Sequence, residues 1–526
     1  MPDPPTRHPT TNPSTHANPP RSTPGPTKPS LRLTLAVVLA AAAALYLVRL
    51  TGPPDLADND QLKPAAYTLD ITQNAHWLVQ HDFHGAVASK PPLPVWISAA
   101  VASAQGEVTR LALTLPSFLG LALLAALAAW LAHRRIHPAA GLFAGLLVLA
   151  SITGEKLIAL VRTDALFAGL TALTATLVFL AWERRGRGTV PVYLAAAAAT
   201  LTKGPLCLPL ALFGLLALFW ERRQHRKHMH ETSAIQHKTP PPTARLATEH
   251  AIGLAAFLLV TAGWALAAYL TRGDAFTDKV FGDELLGKVT NPREGDPLAI
   301  NILKSPAYFL TYFAPLSVLT IIGLVQTVRE PAADPAERRL ERFCFCAFLA
   351  GLTLFSLTPH QRPDLLAPLL LPASILAGRE VHRILTRFGI NARLAPAIAA
   401  AAAMILASIV NRYAMVAGED ETHAERIIQQ AARDWQDTHL ADLSTVYVST
   451  PGLFRFYRQH HSTTLTPDEA ANAAAEGRVE LIAVSPRIAP DLADALRARG
   501  LTHTTAHAIE TPDPRLDIRF WRIERN

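Results

Sequence analysis

The stretch 33-LTLAVVLAAAAALYLV-48 decides the fold of this chain, because it carries no charged residue and is bounded by Arg32 and Arg49. A helix rises 1.5 Å per residue, so this run together with its flanking residues is long enough to cross a membrane. Residues 1–30 are rich in Pro, Thr and Ser, which predicts a disordered tail. A cleaved signal peptide is the alternative, but the tail is long and no clear small-residue cleavage site follows, so an uncleaved first span is favoured.

The composition also indicates a membrane protein. The chain has 526 residues, of which 50% are hydrophobic and only 17% charged, whereas soluble domains carry about 25% charged residues. Further apolar runs occupy 111–132, 140–158, 164–182, 190–202, 205–220, 251–270, 306–328, 343–358, 363–379 and 394–413. The shorter segment 93–104 is expected to be re-entrant or interfacial. The predicted fold class is an all-α polytopic membrane protein with about 11–13 transmembrane helices.

The basic loops predict the orientation of these spans. The formal net charge is +7, and the basic residues recur after alternate spans. These loops are His133–Arg135, Arg184–Arg187, Arg222–Lys227, Arg338–Arg339 and Arg379–Arg393. The positive-inside rule places them, with the amino-terminal tail, in the cytoplasm, and loops 51–92 and 271–305 outside. This distribution explains the basic character of the chain without a nucleic-acid partner.

The chain becomes polar after the last apolar run. Residues 414–526 contain strand-like runs at 446–448, 481–484 and 518–521, which alternate with helix-like runs at 421–436, 467–476 and 490–499. The alternation predicts a small soluble α/β domain on the periplasmic or extracellular side. Three regions follow: the tail 1–30, a transmembrane catalytic region 31–413 with its outer loop 51–92, and the domain 414–526.

Polar residues gather in the outer loops and at the outer helix ends, on one side of the predicted membrane. They are Asp58, Asp60, Lys63, Lys90, Asp164, Lys203, Glu284, Lys288, His360 and Arg362. Any one of them could simply anchor a helix end at the interface. Mixed acids and bases in Pro-rich turns instead favour a site that handles an anion. The cysteines Cys207, Cys344 and Cys346 lie in apolar runs and are expected to be small buried hydrophobes, with no disulfide framework or zinc-ligand spacing.

Asp60 and two lysines suit chemistry at the membrane surface. A carboxylate there could act as a general base, and burial against apolar surface is expected to raise its pKa toward the working range. Lys63 shares a helix face with Asp60 if this segment is helical. Lys90 stands before a Pro-Pro pair that fixes the local backbone, and its ammonium is a suitable point charge for a lipid phosphate.

Several motifs occur in a characteristic order between residues 31 and 380. They are Asp60-Gln61-Leu62-Lys63 followed by Trp77, Lys90-Pro91-Pro92-Leu93 with Trp96, Thr114–Ser117 after Arg110, Arg162–Asp164, Thr202–Pro205, and Phe355-Ser356 leading to Arg362. In this order the chain resembles the GT-C glycosyltransferases that use polyprenyl-phosphate sugars, and most closely the lipid A aminoarabinose transferase and protein O-mannosyltransferase-like group. It departs from that group at Gln61, where Glu is usual, and in the last turn, where His360 or Arg362 replaces a lysine.

The resemblance implies an inverting sugar transfer at the outer face of the membrane. Asp60 would be the catalytic base, and Lys63, Lys90 and Arg362 would bind the donor phosphate. The substrate cavity would include Asp58, Gln61, Asp164, Lys203, Glu284 and His360. The partners implied are membrane lipids, a polyprenyl-phosphate sugar donor and an acceptor hydroxyl or phosphate on a lipid A-like glycolipid, a protein or a cell-envelope glycan. The residues indicate no cluster of metal ligands. A divalent cation is an alternative as cofactor.

Two other classes of function are alternatives. A polytopic transporter or lipid-linked sugar flippase places ionisable residues near the membrane midplane and often shows inverted repeats, whereas the predicted spans are Ala- and Leu-rich without charge at their middles. A membrane scaffold whose soluble domain binds partners is the second alternative. The sequence does not specify the sugar, the acceptor or the oligomeric state.

Overall fold

The computed structural model describes residues 30–52, 55–229, 243–280, 282, 298–389 and 420–525. Helices make up the described chain before residue 390, and a four-stranded sheet with its own helices follows. The predicted fold class is therefore confirmed as an α-helical membrane protein with a small α/β region at its carboxyl end.

Sixteen α-helices form the described part of the chain before residue 390. In chain order they are α1 Leu31–Leu50, α2 Asn59–Asn74, α3 Leu93–Gln105, α4 Arg110–Arg135, α5 Pro138–Ala150, α6 Ile152–Leu157, α7 Asp164–Glu183, α8 Val190–Lys203, α9 Cys207–Leu212, α10 Ala217–Met229, α11 Thr243–Arg272, α12 Asp274–Thr277, α13 Leu298–Tyr312, α14 Leu316–Arg329, α15 Pro335–Leu357 and α16 Leu370–Arg387. Short 3₁₀ segments, Phe213–Leu216 and Pro363–Leu369, precede α10 and α16.

Several of these helices are long and apolar enough to cross a membrane, so the chain is a multi-pass membrane protein. Within the described residues there are five, at Leu31–Leu50, Arg110–Arg135, Asp164–Glu183, Leu246–Arg272 and Pro335–Leu357. A sixth results if α13 and α14, whose axes are bent by 112° at the break between them, form one broken span. The predicted run 394–413 lies outside the described residues, so the larger predicted number of spans remains a prediction. Helix α3 has 13 residues, about 20 Å of rise, which agrees with an incomplete crossing.

Two predicted apolar runs are broken by their own residues. The run 140–158 divides into α5 and α6 at Ser151, whose extended backbone ends one helix while its Oγ accepts a hydrogen bond from Gly154 N at the start of the next. The run 306–328 bends before Pro315, because a proline cannot donate to the preceding turn. Hydropathy alone does not register such breaks, since the residues on both sides are apolar.

Close backbone contact between α4 and α7 sets the position of the loop before α7. A Cβ added to Gly169 would lie 2.2 Å from the carbonyl oxygen of Gly120, and a Cβ on Gly120 would lie 2.3 Å from that of Ala165. Only glycine allows this approach, because any side chain would separate the two backbones. The loop 158–163 is thereby held against the amino-terminal half of α4.

The carboxyl-terminal domain confirms the predicted alternation of helices and strands and adds one short helix and one strand. Its elements are α17 Asp420–Asp434, β1 Thr445–Val448, α18 Gly452–Tyr457, α19 Pro467–Ala475, β2 Leu481–Val484, α20 Ala489–Arg497, β3 Leu501–Ile509 and β4 Ile518–Arg525. The sheet order is β1-β2-β4-β3, in which only β1 and β2 are parallel. Strand β3 was missed because this edge strand is largely exposed and its sequence, LTHTTAHAI, lacks an apolar alternation.

The carboxyl-terminal soluble domain docks on the helical part through paired hydrogen bonds. The amide of Gln459 accepts from Val108 N at 2.7 Å and donates to Val108 O at 3.1 Å. Gln73 at the end of α2 accepts from the backbone N–H of His461 at 2.8 Å, and Phe83 O accepts from Thr464 N at 2.9 Å. These bonds fix the domain against α2 and the loops on both sides of α3.

Glu425 of α17 makes this docking dependent on pH. Its Oε2 accepts from Ala57 N at 3.0 Å and its Oε1 from the Tyr457 hydroxyl at 2.5 Å, while the side chain is fully buried. Burial raises its pKa from 4.5 to about 7, against the opposing hydrogen bonds from Tyr457 and Ala57. The folded protein therefore holds a proton that the unfolded chain releases between these pH values, so the contribution of Glu425 to stability declines as the pH rises through about 7.

We expect Glu425→Gln to raise the thermal stability of the detergent-solubilised protein at pH 8, because the amide mimics the protonated acid. The gain should be at most about 3 kcal/mol at 1.36 kcal/mol per pKa unit, and it should shrink toward pH 5. Thermal unfolding at both pH values measures it. The matched control is Glu476→Gln at an exposed glutamate, and equal shifts at both pH values for Glu425→Gln would contradict the expectation.

Candidate functional site

Asp60 lies in the first turn of α2, which is anchored on both sides. Asp58 caps the helix by accepting from Asp60 N at 2.9 Å. The buried amide of Gln61 accepts from Val161 N at 3.1 Å and donates to Asp55 O at 2.5 Å. The start of α2 is thus joined to the loop before α7, and Asp60 is directed toward Arg162.

Arg162 is held in that loop by contacts from α4. The hydroxyl of Ser117 donates to Leu160 O at 2.5 Å and is 3.1 Å from Arg162 O. The guanidinium then bridges two carboxylates, with Nη1 2.9 Å from Asp364 Oδ2 and Nη2 bonded to Asp60 Oδ2. A planar fork can serve two acceptors in this way, whereas a lysine ammonium could not reproduce its fixed geometry.

Asp60 is also bonded by a second arginine from the turn before α16. Arg362 Nη1 lies 2.7 Å from Asp60 Oδ2. Two residues later, Asp364 accepts from Lys156 Nζ at 3.0 Å through each of its oxygens. We call Asp60, Lys156, Arg162, Arg362 and Asp364 the Asp60 cluster. Its two carboxylates and three cations leave a formal charge of +1, with Lys90 close enough for its charge to act on Asp60. Such a cluster attracts an anion.

The prediction that the pKa of Asp60 is raised is wrong. Burial does raise the pKa of this carboxyl, but the hydrogen bond from Arg362 and the charges of Arg162 and Lys90 outweigh that effect and lower it to about 2. Asp60 is therefore ionised throughout the physiological pH range. It can accept a proton, but in this arrangement it is a weak base.

A second ion pair stands next to the cluster at the start of α7. Lys203, at the end of α8, bonds Asp164 Oδ1, and its ammonium is 5.9 Å from the centre of the Phe167 ring. Lys90 lies within electrostatic range of Asp164 as well as of Asp60. The Lys-Pro-Pro, Arg-x-Asp and Thr-Lys-Gly-Pro motifs therefore meet in space.

The remaining predicted residues occupy different settings. Lys63 is exposed and forms no ion pair within the described part of the chain. Asp58 is an exposed helix cap, whereas Gln61 is buried and bonded to backbone. His360 is partly buried in the turn that carries Arg362. Glu284 and Lys288 lie outside the described residues.

Sequence reasoning missed Lys156 and Asp364. Both were assigned to apolar runs, 140–158 and 363–379, as parts of membrane crossings. A signal was available in each case, because Glu155-Lys156 interrupts the first run and Asp364 follows Pro363 directly after the basic turn. Charges inside predicted spans usually face a functional interior.

Another polar group, also missed, lies at the opposite end of α2. Asp70, His76 and His81 place one ligand atom each within 4.8 Å of the others, a spacing that could hold a metal ion. The sequence showed no metal-ligand pattern, because these residues follow no regular spacing.

Part of the chain matches a known protein family by sequence. Residues 89–235 match the family model described as dolichyl-phosphate-mannose-protein mannosyltransferase. This match confirms the resemblance found in the motifs and the prediction that the chain is a glycosyltransferase. No curated protein matches the chain by sequence.

Solved structures show the same fold. ArnT from Cupriavidus metallidurans bound to undecaprenyl phosphate is similar with a TM-score of 0.70 at 16% identity, over 93% of this chain and 97% of that one. The apo state of the same protein gives a TM-score of 0.67 over the same shares and at the same identity. The oligosaccharyltransferase AglB from Archaeoglobus fulgidus, in complex with an inhibitory peptide and a dolichol-phosphate, matches with a TM-score of only 0.45 at 12% identity, over 87% of this chain and 70% of that one.

Proposed function

We propose that this membrane glycosyltransferase moves a sugar from a polyprenyl-phosphate donor to an acceptor hydroxyl or phosphate at the outer face of a bacterial inner membrane. The acceptor would be a lipid A-like glycolipid, a protein or a cell-envelope glycan. The observation that carries the proposal is the Asp60 cluster, in which one ionised carboxylate stands among cations that exceed the acids in number. A similar fold binds undecaprenyl phosphate in ArnT from Cupriavidus metallidurans.

The donor phosphate would compete with Asp60 for the positive charges of Arg362 and Lys90. Arg362 has 39% of its side chain exposed and one carboxylate partner among the described residues, whereas Arg162 is 15% exposed and is held by both Asp60 and Asp364. Arg362 is therefore the arginine that can turn to a phosphate, while Arg162 keeps its position, and Lys90 adds a charge within range of Asp60. This exchange weakens the hydrogen bond that lowers the Asp60 pKa and makes the carboxylate a stronger base.

The transfer itself is an inverting displacement at the anomeric carbon. With a hydroxyl acceptor, the acceptor oxygen forms a bond to that carbon as its proton passes to an Asp60 oxygen. The bond from the carbon to the phosphate oxygen breaks with its electron pair, and polyprenyl phosphate leaves. Arg362 and Lys90 stabilise the negative charge that grows on the phosphate. Lys63 stays a predicted phosphate contact, and Asp164 with Lys203 shapes the cavity.

The proposed orientation rests on the basic loops and on the site itself. The amino terminus would be cytoplasmic and the domain 420–525 periplasmic. Asp60, Lys90 and Arg362 come from three separate segments that meet near the docked soluble domain, as expected if all of them face one side of the membrane.

The test uses the purified full-length protein in lipid nanodiscs. We expect it to release polyprenyl phosphate from a polyprenyl-phosphate sugar in the presence of an envelope glycolipid extract, and mass spectrometry of the lipids follows both products. Glycolipid profiles of cells with and without the gene identify the acceptor. Absence of any transferred sugar in both experiments would refute the proposal, and redistribution of an unchanged donor between leaflets would favour a flippase.

A further inference from the structure

One carboxylate and three imidazoles converge where α2 meets the soluble domain. His76 Nδ1 lies 2.9 Å from Asp70 Oδ1, His81 Nδ1 lies 3.2 Å from Asp70 Oδ2, and His461 Nδ1 lies 3.6 Å from Asp70 Oδ1. Asp70 stands ten residues after Asp60, about 15 Å further along the helix at 1.5 Å per residue. The group is therefore separate from the Asp60 cluster.

The spacing of these atoms suits a tetrahedral ion. Zn²⁺ bonds to imidazole nitrogen and carboxylate oxygen are about 2.0–2.2 Å long, so neighbouring ligands of a tetrahedral site lie about 3.3 Å apart. The three distances from Asp70 oxygens to imidazole nitrogens, 2.9, 3.2 and 3.6 Å, bracket that value. Asp70, His76 and His81 already hold ligand atoms within 4.8 Å of one another, and rotation of the His461 ring beside Asp70 would complete the set.

Hydrogen bonds around the group orient the ligand atoms. His461 Nε2 is 3.1 Å from the carbonyl oxygen of His81, which only accepts, so Nε2 carries the proton. In the neutral ring, the Nδ1 lone pair then faces Asp70 Oδ1 at 3.6 Å and the Asn74 amide nitrogen at 3.3 Å. Asn74 Nδ2 donates to Asp70 Oδ1 at 2.8 Å, and His81 N donates to Oδ2 at 2.8 Å. Such outer contacts commonly fix the tautomer and the direction of metal ligands.

The group joins three segments and is open to solvent. Asp70 belongs to α2, His76 and His81 to the loop after it, and His461 to the soluble domain beyond α18. Asp70 is 1% exposed and His461 4% exposed, but 39% of the His76 side chain reaches solvent. A cavity of about 370 Å³ borders Asp70 and all three histidines. An ion can therefore enter without unfolding of the site.

We propose that Asp70, His76, His81 and His461 bind one divalent zinc ion that clamps the soluble domain to α2 and its following loop. Two or more imidazoles with a carboxylate form a ligand set that zinc accepts and that Mg²⁺ or Ca²⁺ does not prefer. Four protein ligands would fill the tetrahedral coordination of the ion and leave no position for a substrate, so its role is structural. The alternative is a site that binds no metal, in which Asp70 only accepts hydrogen bonds from protonated imidazole nitrogens.

Metal analysis of the full-length protein, with any affinity tag removed, distinguishes these cases. We expect about one zinc ion per chain after dialysis against zinc and then buffer. The variants Asp70→Asn and His81→Ala should each weaken zinc binding at least about 10–100-fold. His84→Ala is the matched control, because His84 lies on the same loop, is exposed and contacts Thr464 at 3.3 Å rather than Asp70. It should retain its zinc.

Wild-type protein gives a second measurement that does not depend on variant folding. We expect a chelator to lower Tm, and added Zn²⁺ to restore it. Substitution with Co²⁺ should give the visible absorption of a tetrahedral centre, and the absorption should be absent in Asp70→Asn. Wild-type protein that binds no zinc at micromolar concentration, with Tm unchanged by chelator, would overturn the proposal in favour of the hydrogen-bonded group.

Discussion

Asp60→Asn should lower the turnover of sugar transfer by about 10²–10⁴-fold, the usual contribution of a positioned general base. Asn is the same size and can still accept hydrogen bonds from Arg162 and Arg362. It cannot take up the proton of the acceptor hydroxyl. The formal charge of the Asp60 cluster rises from +1 to +2, since one acid is lost. Donor binding should therefore be kept or tightened, so kcat falls while KM for the donor does not rise.

Single-turnover and steady-state assays with the polyprenyl-phosphate donor measure the changes in kcat and in KM separately. Membrane insertion and Tm should stay close to the wild-type values, because 42% of the Asp60 side chain is exposed and it is not part of the apolar core. The matched control is Asp494→Asn, which makes the same change at an exposed acid of the soluble domain. Activity retained in Asp60→Asn would place the base elsewhere, with Asp58 the first candidate.

Arg362→Ala has the second largest expected effect, and two consequences oppose each other. Loss of the 2.7 Å hydrogen bond raises the pKa of Asp60, which improves it as a base. Loss of the guanidinium also removes a contact to the phosphate, in its bound and its leaving form. Removal of one such donor typically lowers kcat by about 10²–10³-fold. The second effect should exceed the first, so kcat falls and KM for the donor rises.

The matched variants separate charge from geometry. Arg362→Lys keeps the cation and should recover part of the activity, whereas Arg497→Ala at an exposed ion pair should have none of these effects. The acid limb of the pH–rate profile should move to higher pH in Arg362→Ala, because Asp60 loses the donor that lowers its pKa. Unchanged KM and an unchanged profile would show that Arg362 is only a structural partner of Asp60.

Much of the fold could be predicted from local sequence. The run 164–182 corresponds to α7 at Asp164–Glu183, and the run 481–484 to β2 at Leu481–Val484. These elements agree because the length of an apolar run and its period depend only on neighbouring residues. The breaks at Ser151 and Pro315 and the edge strand β3 were missed, since a bend within apolar residues and an exposed polar strand leave little hydropathy signal.

The site was predicted as a set of residue types and only partly as an arrangement. The motifs around Asp60, Lys90, Arg162 and Arg362 were recognised by their order. Their partners were not, because Asp364 and Lys156 were hidden in predicted spans. The expected direction of the Asp60 pKa was wrong for a related reason. Burial was foreseen, but the two arginines that outweigh it come from other segments.

The sequence by itself determined that the chain is a membrane protein with charged residues at particular helix ends, because partition into lipid is decided by contiguous composition. The tertiary structure decided which of these charges meet. Arg362 reaches Asp60 across 302 positions, and His461 reaches Asn74 beside Asp70 across 387. Coulomb interaction and metal coordination depend on distance in space and not on separation along the chain, so the basicity of Asp60 and the proposed zinc site could be derived only from the folded structure.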